Sequence, residues 1–161
     1  MLPNLIAKDP DGRSADLDEV DLKLLGELQR NGRATYAELA ARVGLKPPGT
    51  HERVRRLEER GVIEGYGVRL DPHRLGVELV AFVSCFTGAE PPSFAAAVSA
   101  LPEVAEIHSV AGDESYILKV LTRSTSHLDE LLSRIKAIPG ITHTKTTVVL
   151  STPFARIGYA L

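Results

Sequence analysis

Residues 35–61 read TYAELAARVGLKPPGTHERVRRLEERG, and the order of start and stop signals in that stretch decides the fold of the first half of the chain. Thr35 with Glu38 three positions on is a capping box, so a short helix begins there, with Leu39, Ala40 and Val43 along one side. Gly44 tolerates the left-handed conformation that closes a helix, and Leu45 can plug a core. Pro47 suits the first turn of a further helix that runs to about Arg60 and stops at Gly61. Short helices joined by a glycine-containing turn of a few residues are the pattern of a helix-turn-helix, whose last helix reads DNA. In that helix Val54 and Leu57 point at the core, leaving Thr50, Arg53 and Arg56 on another face with Arg55 and Arg60 flanking it. No other part of the chain is as dense in arginine.

Working outward, Leu17 to Arg30 reads as the preceding helix. Asp18 can cap it with Asp21 three on, Leu17 can staple against Leu22, and Val20, Leu24, Leu25 and Leu28 form a stripe before Asn31-Gly32 ends it. Residues 17–63 thus make a three-helix DNA-binding domain of the winged helix-turn-helix type. Residues 1–16 carry Pro3, Pro10 and Gly12 without periodicity and read as an arm. Val62 to Leu70 is β-like, and Asp71-Pro72 breaks it before a helical turn ending at Gly76, so residues 64–76 are expected to form a β hinge.

From residue 77 to 161 the periodicity alternates between strand and helix. Strands are expected at Val77–Thr87, Val104–Val110, Ser115–Leu121 and Ile141–Leu150, and helices at Ser93–Leu101 and Ser126–Ile138. The order is βαββαβ. Leu101-Pro102-Glu103-Val104 and Ile138-Pro139-Gly140-Ile141 join helix to strand in the same way, so the two halves look like one repeated unit. The whole is α+β, with a ferredoxin-like second domain whose helices cover one face of an antiparallel sheet. In its first strand Leu79, Ala81, Val83 and Cys85 alternate with Val80, Phe82 and Phe86, so both faces are apolar and a second copy is the simplest cover.

Composition sets the limits. Of 161 residues 43% are hydrophobic and 25% charged, the balance of a globular protein, and the formal net charge of -2 confines any attraction to nucleic acid to local clusters. The lone Cys85 excludes an intrachain disulfide and fits a reducing cytoplasm. His51, His73, His108, His127 and His143 lack metal-ligand spacing, and there is no glycine-rich phosphate loop or serine elbow, so neither metal, cofactor nor catalysis is expected. No run of about 20 apolar residues is present, and no membrane segment is expected.

Taken together, the segments Leu17-Asp18-Glu19-Val20-Asp21, Leu39-Ala40-Ala41-Arg42-Val43-Gly44-Leu45 and Glu52-Arg53-Val54-Arg55-Arg56-Leu57-Glu58 resemble the DNA-binding half of the leucine-responsive/asparagine-regulator (Lrp/AsnC) family. Val110-Ala111-Gly112-Asp113, Tyr116-Ile117-Leu118-Lys119, Pro139-Gly140-Ile141 and Thr146-Thr147-Val148-Val149 resemble its sensor half. The resemblance implies a transcriptional regulator of double-stranded DNA, built as dimers that often assemble into octamers, with an amino-acid effector held where sensor domains meet. Two positions depart from the family pattern: Lys46 stands where many relatives have serine, and Ser109 where leucine responders commonly have an aliphatic residue.

The arginines alone fit equally well a solvated helix face paired with Glu52, Glu58, Glu59 and Glu64. The helix-turn-helix frame favours contact with phosphates and bases by Arg53, Arg55, Arg56 and Arg60, joined by Lys46, Gly49 and Thr50 at the helix start. Gly112-Asp113 alone is a plain hairpin turn. The resemblance implies instead an effector loop, Ser109, Val110, Ala111, Gly112 and Asp113, with Asp113 facing the ammonium and Thr144, Thr146 and Val148 selecting the side chain. A rival from another class also comes from resemblance, since some sirohaem decarboxylases are similar to this two-domain architecture.

Overall fold

A buried carboxylate organises the first three helices. The structure, a computed structural model, describes residues 17–88 and 94–155, so the N-terminal arm expected at residues 1–16 lies outside the described residues. Helix α1 (Glu19–Arg30) opens with a capping box in which the Asp18 carboxylate accepts the Asp21 amide at 2.8 Å and the Asp21 carboxylate accepts the Asp18 amide at 3.4 Å. Helix α2 (Tyr36–Val43) opens with the Thr35/Glu38 box and closes on Gly44 at φ 75°, where a side chain would be strained. Helix α3 (Pro47–Glu59) starts with proline in its first turn. Leu24, Leu39 and Val54 meet at the centre, with Val20, Leu28, Ala34, Val43 and Ile63 packed around them and Leu57 fully buried.

Two polar residues share that interior. Thr50 is fully buried and its hydroxyl donates to the Lys46 carbonyl at 3.2 Å. This corrects the expectation that Thr50 lies on the exposed face of α3: it stands one turn before Val54 on the same buried stripe, and its hydroxyl is satisfied within the helix. Asp21 is 1% exposed. Its carboxylate accepts from Arg53 Nη1 at 2.7 Å and from Arg56 Nη2 at 3.3 Å, and Arg53 Nη1 also reaches Asp18 Oδ2 at 2.6 Å. A carboxylate taken out of water destabilises a fold unless it is paired, so Arg53 braces α3 to the start of α1. The Asp21 amide and then Arg53 hold the Asp18 carboxyl below its usual range, while Asp18 and Asp21 raise the Arg53 guanidinium.

Beyond α3, residues 64–71 lie outside any helix or strand, and Tyr66, Val68 and Leu70 are exposed. The β hinge expected here is thus not part of a sheet: Gly65 and Gly67 weaken strand propensity, and an extended segment becomes a strand only with a neighbour for its amides. A 3-10 turn at His73–Leu75 follows and ends on Gly76. One compact unit runs up to Arg69 and a second begins at Leu70.

The second unit is a four-stranded antiparallel sheet of β1 (Leu79–Thr87), β2 (Val104–Ser109), β3 (Tyr116–Thr122) and β4 (Ile141–Val148), in the order β2-β3-β1-β4. Helices α4 (Phe94–Ser99) and α5 (Thr125–Lys136) complete the expected ferredoxin-like order. Phe94 and Val98 of α4 and Leu128, Leu131 and Ile135 of α5 bury against Ala81, Val83, Cys85, Tyr116, Leu118 and Val120, the alternate residues of the two central strands. On the opposite face Phe82 is 39% exposed and Phe86 stacks on His143 with ring centres 3.9 Å apart. Burial pushes the Cys85 thiol up to about 11, which makes it a packing residue and not a nucleophile.

One charged cluster ties the loop before β2 to α5. The Glu103 carboxylate accepts from His127 Nε2 at 2.9 Å and from Arg134, and the Glu103 carbonyl accepts the Leu121 amide at 2.8 Å. Burial alone raises the Glu103 carboxyl, but the hydrogen bonds from Arg134, its own amide and His127 outweigh it and bring the group down to about 2.

Two predictions follow from these buried charges. Arg53→Ala strips Asp21 of its shorter ion pair and is expected to destabilise the helical unit by about 2 kcal/mol, read by urea melts of the full chain; Arg56 remains beside Asp21 and limits the loss. Because the folded Glu103 pKa lies below the unfolded value of about 4.3, its contribution is present above that pH and disappears as pH falls toward 2. Glu103→Gln is expected to be less stable than the parent at neutral pH, with the difference shrinking over this window in thermal melts.

Candidate nucleic-acid interface and effector turn

With Thr50, Val54 and Leu57 turned inward, geometry fixes which side of α3 faces out: Pro48, Glu52, Arg55 and Glu59, spaced three and four residues apart and all exposed. Arg55 stands at the middle of this face. Its Nε and Nη2 donate to the two Glu52 carboxylate oxygens at 3.2 and 2.7 Å, and its Nη1 donates to Glu59 Oε1 at 3.0 Å. All three side chains remain more than half exposed. The Arg55 guanidinium beside Glu52 holds its carboxyl below the usual carboxylate range, and Glu52 in turn raises Arg55. Pairs this exposed are weak and exchange readily when another partner approaches.

The other expected DNA-facing residues divide by location. Arg53, 27% exposed at its side chain, is committed to Asp18 and Asp21. Arg56 sits on the same flank, nearly half exposed, with two long contacts to the Asp21 carboxylate at 3.3 and 3.5 Å. Lys46 is exposed at the N-cap, and Gly49 is open, with nothing within 4 Å of where a Cβ would stand. Arg60 is exposed just past the last turn. Arg55 and Arg56 are thus about equally exposed, whereas Arg53 is drawn onto Asp21. The sequence did carry a signal for this. Asp21 interrupts the apolar stripe of α1 between Val20 and Leu24, and a carboxylate there demands a cation from a packed neighbour.

In the second unit, Ser109 ends β2 opposite Tyr116, and the Val110 amide donates to the Ser115 carbonyl at 3.2 Å. Ala111, Gly112 and Asp113 are exposed at the tip. The base of this turn is fixed to the end of β1, because the Ser115 amide donates to the Cys85 carbonyl at 3.0 Å and the Ser115 and Thr87 hydroxyls lie 2.8 Å apart. Thr144, Thr146 and Val148 sit on β4 opposite Cys85, Val83 and Ala81. Sheet order puts β4 and β2 on opposite edges, about 14 Å apart at three strand spacings. Thr144 pairs with Cys85, the residue whose carbonyl receives the Ser115 amide, while Val148 lies at the far end of β4. Among the described residues no helix is long and apolar enough to cross a membrane.

Comparison with known proteins agrees with this two-part construction. Residues 17–64 match the model of a winged helix-turn-helix DNA-binding domain, and residues 80–158 that of the Lrp/AsnC ligand binding domain. The chain is 41% identical over 138 residues to the HTH-type transcriptional regulator LrpA of Mycobacterium tuberculosis, covering 84% of this chain and 91% of that one. It is 42% identical over 140 residues to the leucine-responsive regulatory protein of Salmonella typhimurium, with 84% and 85% covered. Among solved structures, the feast or famine regulatory protein of M. tuberculosis complexed with L-methionine superposes with a TM-score of 0.83 at 39% identity, covering 89% of this chain and 98% of that one. These relatives are named as regulators, and the decarboxylase alternative is set aside. The chain belongs to the Lrp/AsnC family of transcriptional regulators.

Proposed function

We propose that this regulator reads the major groove with the outward face of α3, Arg55 making the base contact and Lys46, Arg56 and Arg60 meeting phosphates near the two ends of the helix. The observation that carries this reading is the position of Arg55 at the middle of the exposed face, with Arg53 held away on a buried carboxylate. A planar guanidinium can engage guanine O6 and N7 with two donors from one rigid edge. Gly49 leaves the first turn open for close approach of a sugar-phosphate strand, and Thr50 acts from inside by keeping that turn in place.

The second domain is proposed to hold a free amino acid, as the L-methionine complex of a relative suggests. The turn of Ser109, Val110, Ala111, Gly112 and Asp113 supplies amides for the α-carboxylate and the Asp113 carboxylate for the ammonium. Thr144, Thr146 and Val148 on β4 are proposed to select its side chain at a junction between copies of the chain. The proposal therefore includes a homo-oligomer, a dimer at least and an octamer in the fuller assembly, and the exposed Phe82 side of the sheet favours it. Two-fold symmetry then presents two α3 helices to one duplex in the cytoplasm.

Arg55→Ala is expected to lower affinity for a duplex selected by the full chain from a random pool by about tenfold and to relax preference at one base-pair position, with urea melts unchanged. Equal affinity on selected and altered duplexes in the parent and the variant would remove Arg55 from base reading. For the effector, a thermal-shift screen of the twenty amino acids should show stabilisation by one or a few, lost in Asp113→Ala. Stabilisation that survives in that variant would place the ligand elsewhere.

A further inference from the structure

A reader helix that carries two carboxylates on its outward face works against its own attraction to DNA. Glu52 and Glu59 stand one turn before and after Arg55 and between them occupy all of its donor nitrogens. As pairs more than half exposed they lend the helix little support, and the buried stripe of α3 runs along the opposite side. Two-point engagement by Glu52 is the geometry that guanine O6 and N7 would otherwise receive from the same guanidinium edge.

On the reading of α3 as the DNA-facing helix, on which this inference rests, we propose that Glu52 is a specificity-determining residue that keeps Arg55 off phosphate. Away from its operator, Arg55 can bind a phosphate only by leaving Glu52 unpaired beside a second anion, and like charges in contact disfavour that arrangement. At the operator, Arg55 moves to a guanine edge and Glu52 accepts from the exocyclic amine of a cytosine, whose major-groove edge, unlike that of adenine, sets no acceptor beside the donor. The discrimination arises as much from weakening the wrong complex as from strengthening the right one. The net charge of -2 fits the same economy of attraction, since the chain lacks a general basic surface that would hold it on any duplex.

Glu52→Gln removes the charge at constant size on an exposed position, so the fold is retained. Two probes are used with the full chain: the duplex selected from a random pool and a scrambled duplex of equal length. The variant is expected to bind the scrambled duplex several-fold more tightly than the parent and to show a log affinity against log salt slope steeper by about 1 per chain, because Arg55 is released to a phosphate. The ratio of selected to scrambled affinity should fall about tenfold. In an Arg55→Ala background the same substitution should leave the slope unchanged. A gain in non-specific binding is something that a merely destabilised protein does not produce. Unchanged or weaker scrambled binding with an unchanged slope would overturn the proposal. If Arg55→Ala alone keeps the full discrimination of the parent, the reading of α3 itself fails; if it loses discrimination while Glu52→Gln does not, only the role of Glu52 fails.

Discussion

The Asp21 carboxylate is buried on the stripe that joins α1 to the rest of its domain, and a charge in that position must be met by a cation from a packed helix. Arg53 meets it at 2.7 Å while also reaching Asp18, so the end that starts α1 is fastened to the middle of α3. Together with the buried apolar stripe this requirement fixes the rotation of α3 about its own axis. Thr50, Val54 and Leu57 go inward, Arg53 goes to the flank, and Arg55 is carried to the outward face between Glu52 and Glu59. The chemistry that α3 can offer to DNA is thus the consequence of a packing constraint one helix away.

In the second unit the organising fact is that both helices cover the same face of the sheet. Alternation along β1 and β3 fills that face with Val83, Leu118 and their neighbours and leaves Phe82, Phe86 and His143 on the other. The base of the β2–β3 turn is held on β1, the strand that also pairs with β4. In the proposed assembly a metabolite acts on DNA binding by preferring one arrangement of copies over another.

Much of this was legible in the sequence. The capping boxes at Asp18 and Thr35, Gly44 and Pro47 place the three helices because each signal acts within one turn of chain. Period-two alternation and the repeated helix-Pro-x-strand junctions give βαββαβ for the same reason. What local signals could not place was angular position and sheet edge. Thr50 reads as a polar surface residue until the packed stripe of Val54 and Leu57 is extended back one turn. Arg53 and Arg55 are equivalent in composition, and only the carboxylate at Asp21, remote in sequence, separates their roles. Residues 64–71 alternate Tyr66, Val68 and Leu70 as a strand would, but with Gly65 and Gly67 interspersed and no neighbour, and neighbours are a tertiary property. The family resemblance supplied the effector turn, which turn chemistry alone leaves as an ordinary hairpin.

The central claim is the division of labour on α3, with Arg53 a structural brace and Arg55 the group that turns to DNA. Its most direct test is the arginine side-chain Nε–Hε spectrum of the full chain, free and bound to its selected duplex. The Arg53 resonance is expected to keep its free-state position, still held on Asp21, while the Arg55 resonance shifts on exchanging Glu52 for a base. A shift of Arg53 with Arg55 left unchanged would contradict it.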